Sequence, residues 1–124
     1  MPVVRSADAR RTETPNAVMT TFASPSLGRS TQALWRVEMA PGARGPEHAM
    51  DSEQVWTVLE GRAAVRVGSE RHDVGAGDTV VLPPAVLREI TADAELGLTA
   101  VVTGVGAAVA SGPGRDPVVP PWIA

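Results

Sequence analysis

The clearest order in this chain is an alternation of apolar and polar positions. Trp35, Val37 and Met39 fall on one side of an extended segment and Arg36 and Glu38 on the other, the period of a strand with one buried face, and Pro41-Gly42 ends it. Further short runs rich in β-branched residues follow at 55–59, 63–67, 79–82 and 98–102. Glu60-Gly61 and Gly68-Ser69-Glu70 read as hairpin turns and Gly75-Ala76-Gly77-Asp78 as a third. Pro83-Pro84 closes the run before it, because proline has no amide to give to a ladder. No segment carries the period of an amphipathic helix. The pattern therefore predicts an all-β fold with antiparallel strands, for which a jelly-roll β-barrel is the compact solution at 124 residues.

The flanks read differently. Residues 1–30 mix Ser, Thr, Pro and Asn with short apolar pieces, which predicts an N-terminal arm with one possible edge strand and no required share in the core. Residues 31–106 hold the barrel. Residues 107–124 are rich in Gly, Ala and Pro and are expected to be extended rather than folded on themselves. Trp122 either docks on the barrel or sits in a neighbouring subunit, since an indole left in water would forgo roughly 1.5–3 kcal/mol of burial; docking is the favoured placement.

Composition narrows the function classes. An apolar content of 44% covers one core and predicts one domain. The net charge of -3, with eleven scattered Arg and no Lys, offers no basic footprint for nucleic acid or an anionic membrane. The absence of Cys removes disulfides, thiolate metal sites and a cysteine nucleophile. The polar residues 1–11 and the short, Gly-broken apolar runs lead to the expectation of a soluble, cytoplasmic protein.

Two spaced motifs carry a resemblance. Gly42, His48, Met50, Gln54 and Gly61 stand at the five positions of the form G-x5-H-x-H-x3-E-x6-G, and Gly77, Pro83, Ala85, Arg88 and Ala92 at those of G-x5-P-x-G-x2-H-x3-N. In these spacings the chain resembles the cupin superfamily, with degenerate metal-binding motifs. The resemblance implies the jelly-roll barrel; in the family the two motifs supply three His and one Glu to a divalent metal inside it. Carried over, those positions are His48, Met50, Gln54 and Arg88. Only His48 is a good ligand, and Arg88 is a permanent cation, so no metal cofactor is expected. Were one bound, His48 and Gln54 would hold it, helped by Glu47 or Glu53, although strand alternation turns Glu53 outward if Gln54 points in. His72, between Arg71 and Asp73, reads as a solvated surface residue.

If Gln54 faces the interior, Trp56 and Val58 do too. Met50, Gln54, Trp56 and Arg88 then form a ligand-binding pocket, with Arg88 suited to pair with a carboxylate or enolate and His48 to orient a ligand or abstract a proton. The alternative is a closed core filled by Trp56 and Met50 with Arg88 in water at the mouth. Three functions stay open: a metal-independent isomerase, epimerase or cyclase with His48 and Arg88 as catalytic residues; a non-catalytic small-molecule binding or sensor module; and a metal-dependent oxygenase with an atypical ligand set. The expected partners are a small-molecule ligand and a second copy of the chain in a homodimer, with neither nucleic acid nor membrane.

Overall fold

The computed structural model describes residues 1–124 and consists of eleven strands joined by turns: β1 (Arg10–Glu13), β2 (Val18–Ala23), β3 (Gln32–Met39), β4 (Ala49–Met50), β5 (Gln54–Val67), β6 (Glu70–Gly75), β7 (Thr79–Leu82), β8 (Arg88–Ala92), β9 (Leu98–Val105), β10 (Ala110–Gly112) and β11 (Arg115–Val118). The only helical pieces are 3-10 turns at Ser6–Asp8 and Pro121–Ile123, and no helix is long and apolar enough to cross a membrane. Every strand pairing is antiparallel, in the order β1-β2-β3-β9-β5, with β6, β7 and β8 also on β5 and a second small sheet β11-β10-β4. This is the jelly-roll barrel that the alternation predicts.

The strand β5 holds the two halves together. Its first residues pair with β7 and β9 and its last with β6 and β8, so one strand crosses between the faces of the barrel. The crossing occurs at Glu60-Gly61, where the β9 register shifts between Val58 and Glu60. Gly61 has φ +78, and a Cβ there would sit 2.1 Å from the Gly97 carbonyl oxygen. The expected hairpin turn at Glu60-Gly61 is thus a bulge within a continuous strand: glycine marks a tight backbone approach here, not a chain reversal. The turn at Gly68-Ser69 does join a hairpin, β5 to β6, whereas Gly75-Ala76-Gly77-Asp78 links β6 to β7, which do not pair with each other.

Burial follows the alternation. Trp35, Val37 and Met39 on β3 point into the core with Val58 and Val65 from β5, Ile90 from β8 and Val102 from β9, while Arg36 and Glu38 face out and pair with each other. Across the outer face, Leu34, Thr103, Val55 and Val81 lie side by side on β3, β9, β5 and β7.

Two expectations for the flanks are corrected. The residues read as an arm supply β1 and β2; β2 pairs with β3, and Met19, 3% exposed, belongs to the core. Short pieces such as Met19 in a Thr-rich run carry too weak a signal to reveal a full strand. The tail folds on itself: β10 and β11 form a hairpin around Gly114, whose φ of +68 makes the reversal possible, and β10 pairs with β4. The tail end then docks on the barrel, with the Thr21 hydroxyl donating to the Trp122 carbonyl at 2.6 Å and the Ala107 amide to the Ile123 carbonyl at 2.8 Å.

Candidate functional site

The barrel encloses a cavity of about 460 Å³. Its wall is built from inward residues of β2, β3, β5 and β8, the turn before β2, the segment from Gly45 to β4, the β10–β11 hairpin and the docked tail. All three tryptophans of the chain, Trp35, Trp56 and Trp122, line it, as do Met19, Met39 and Met50. The cavity therefore has a large polarizable apolar surface, and its most deeply buried polar groups form one patch.

That patch is built by backbone pairing. His48 and Arg88 form a two-way bridge, His48 N–H to Arg88 C=O at 3.1 Å and Arg88 N–H to His48 C=O at 2.8 Å, which sets their side chains next to each other. Arg88 Nε donates to His48 Nε2 at 3.2 Å, and Arg88 Nη2 donates to Gln54 Oε1 at 2.7 Å. Trp56 Nε1 donates to the same Gln54 oxygen at 3.4 Å. Gln54 starts β5 with its side chain inward and only 4% of the residue exposed, and Trp56, two positions on, shares its face.

The protonation state of His48 follows from its partners. Its Nδ1 lies 2.8 Å from the Pro46 carbonyl, which can only accept, so Nδ1 carries the proton and Nε2 receives the Arg88 N–H with its lone pair. Burial lowers the pKa of His48 below its ordinary value, the Arg88 cation lowers it further, and Arg115 adds to this against the opposing Pro46 hydrogen bond. The imidazole is neutral at pH 7.

Arg88 is the unusual member. It is only 3% exposed and has no acidic partner, and its Nη1 makes no hydrogen bond. The nearby acids are engaged elsewhere, Glu47 with Arg66 at 2.6 Å and Glu89 with Arg44 at 2.9 Å. Burial pushes the guanidinium pKa down to about 10, which leaves it charged at neutral pH.

The sequence-predicted residues His48, Met50, Gln54, Trp56 and Arg88 all line this one cavity, and the alternative of a closed, filled core with Arg88 in water does not hold. The donor set does not fit a divalent metal. The one imidazole lone pair and the Gln54 oxygen are both taken by Arg88 N–H groups, and a cation 3.2 Å from His48 Nε2 stands where a metal would have to bind. Nor do the fallback ligands reach: Glu47 pairs with Arg66, Glu53 is exposed, and no three His, Cys, Asp or Glu residues cluster anywhere. His72 is exposed on β6 beside Glu70.

Sequence reasoning missed Trp35, Trp122 and Arg115 as cavity residues. The first was legible, since Trp35 shares the inward face of Val37 and Met39. The Gly112-Pro113-Gly114 turn could have revealed the hairpin that carries Arg115, but nothing local says that this hairpin closes over the barrel.

A profile of the cupin domain matches residues 35–103. A search of curated protein sequences finds no match. Among solved structures, the chain is similar to an RmlC-like cupin from Shewanella frigidimarina at 21% identity and TM-score 0.69, over 83% of this chain and 88% of the other. It is similar to the polyketide cyclase RemF from Streptomyces resistomycificus at 19% and 0.70, over 85% and 79%, and to KdgF from Halomonas sp. at 17% and 0.68, over 85% and 94%. With the profile spanning more than half of the chain and the barrel on which the two motifs lie, this protein belongs to the cupin family.

Proposed function

We propose that the barrel is a metal-independent binding site for a small amphipathic carboxylate, with Arg88 as its anchor. The observation that carries this reading is the buried guanidinium without an acidic partner. An unpaired cation in such a place is expensive, and an incoming carboxylate would supply the missing counter-charge through short charge-assisted hydrogen bonds. The three indoles and three thioethers favour an apolar, preferably planar body. The test is a titration of intrinsic tryptophan fluorescence with phenylacetate and its neutral isostere phenylacetamide. The carboxylate is expected to bind about tenfold tighter or better; equal affinities would end the proposal. A companion thermal-shift series over divalent cations is expected to give no stabilisation, and a stoichiometric metal would restore the oxygenase reading.

A second reading rests on the neutral His48. If Arg88 turns its N–H groups to a ligand carboxylate, the Nε2 lone pair of His48 is released and becomes a general base of the kind an isomerase, epimerase or cyclase needs. Ligand-dependent exchange of a carbon-bound proton with deuterated solvent, lost in His48→Gln, would support catalysis over a sensor role.

The outer row Leu34, Thr103, Val55 and Val81, flat and uncharged, suits a second copy of the chain in a homodimer. Light scattering should give a dimer mass that Val81→Glu reduces to a monomer.

A further inference from the structure

We infer that Arg115 is a second anion-recognising group of the same cavity, so that the ligand class is a two-ended acid: one carboxylate at Arg88, an apolar body against the tryptophans, and a second carboxylate at Arg115. This rests on the reading of Arg88 given above and names the class of molecule more narrowly.

Three observations support it. First, Arg115 lines the cavity, yet its side chain makes no hydrogen bond or ion pair with the protein. Five other arginines, Arg11, Arg36, Arg44, Arg66 and Arg71, each hold an acid. The two arginines that line this cavity, Arg88 and Arg115, are among those that hold no acid. Second, strand pairing brings the base of the hairpin that carries Arg115 against the segment leading to His48. The β10–β11 hairpin joins β4 through Ala110–Met50 and Ser111–Ala49. Gly112 lies so near the strand leading to His48 that a Cβ would come within 2.8 Å of the Glu47 carbonyl oxygen and 3.4 Å of His48 Cα. The charge of Arg115 is felt at His48, where it adds to the depression of the imidazole pKa. Third, Asp116, the one carboxylate lining the cavity, forms no ion pair with either guanidinium, so neither cation has an acidic partner. Arg88 is buried and Arg115 exposed, which separates them in depth and matches a molecule lying along the cavity with an acid at each end.

The experiment measures dissociation constants for phenylacetate and for ortho-, meta- and para-phenylenediacetate with the full chain, with Arg115→Gln, with Asp116→Asn and with Arg88→Gln, at low ionic strength. At least one diacid is expected to bind the unaltered protein roughly fivefold tighter than phenylacetate, the upper range for a partly solvated ion pair. Arg115→Gln should bring that ratio to about one while phenylacetate affinity is retained. Asp116→Asn should raise diacid affinity, because it removes a repelling charge beside the second carboxylate. If no diacid is preferred, or if Arg115→Gln leaves the ratio untouched while Arg88→Gln abolishes phenylacetate binding, the inference about Arg115 is overturned and the Arg88 anchor stands. If the unaltered protein binds neither phenylacetate nor any diacid, both are overturned.

Discussion

Replacing Arg88 by Met separates a side chain kept for binding from one kept for the fold. Methionine has a similar reach without the charge or the hydrogen-bonding head. In the ligand-free protein burial lowers the guanidinium pKa from its ordinary value to about 10, which corresponds to roughly 3 kcal/mol of penalty for holding the charge in place. Against this stand its two side-chain hydrogen bonds, to His48 and Gln54, at about 1.5 kcal/mol each for a charged donor. The two sides offset each other. Arg88→Met should therefore change unfolding free energy by no more than about 1 kcal/mol, equivalent to a Tm shift within roughly 3–5 °C for a chain of this size. Urea denaturation followed by tryptophan fluorescence measures this directly, since all three indoles surround the cavity. The contrast comes with ligand. At about one hundred times Kd, phenylacetate should stabilise the unaltered protein by about 2.7 kcal/mol and the variant hardly at all. A loss of about 3 kcal/mol or more in the ligand-free variant would show that Arg88 is a framework residue, like one half of a buried ion pair, and would refute the argument from its missing partner.

Two further expectations concern other parts of the molecule. The unfolded imidazole of His48 titrates near 6.5 and the folded one lower, so as pH falls through 6.5 the unfolded chain takes up a proton first. The stability owed to this group is complete above 6.5 and declines below it until the folded imidazole is protonated too; a pH series of denaturation midpoints should show that slope, reduced in His48→Gln. Gly61→Ala should lower stability by at least about 3 kcal/mol, since it combines a positive φ with a Cβ 2.1 Å from a carbonyl oxygen. A Gly61→Ala variant whose urea midpoint matches that of the unaltered chain would mean that the bulge in β5 relaxes freely.

Much of the barrel was legible because alternation is a direct image of the two faces of a strand: Trp35 to Met39, and Gln54, Trp56 and Val58, point as their spacing requires. The Glu60-Gly61 bulge was not legible. A glycine that permits a reversal and one that permits a close backbone approach look the same in sequence, and only the position of Gly97 on a distant segment distinguishes them. The polar patch was partly legible. The resemblance to the two cupin motifs brought His48, Met50, Gln54 and Arg88 together, but it could not show that Arg88 would lack an acid, because that depends on Glu47 and Glu89 turning to Arg66 and Arg44. Arg115 and Trp122 belong to the cavity through tertiary folding of the tail, which leaves no local period.

The two walls of the cavity are held very differently. Gln54 and Trp56 stand on β5, which is laced to four other strands, whereas the hairpin that carries Arg115 lies in a separate small sheet and pairs there only with the two residues of β4. The anchoring side is already ordered before a ligand arrives, so little freedom remains to be lost there on binding. The opposite side can adjust its distance. A ligand series should consequently show sharp intolerance to moving the first acid group and a shallow dependence on the thickness of the body, a fixed jaw working against a sprung one.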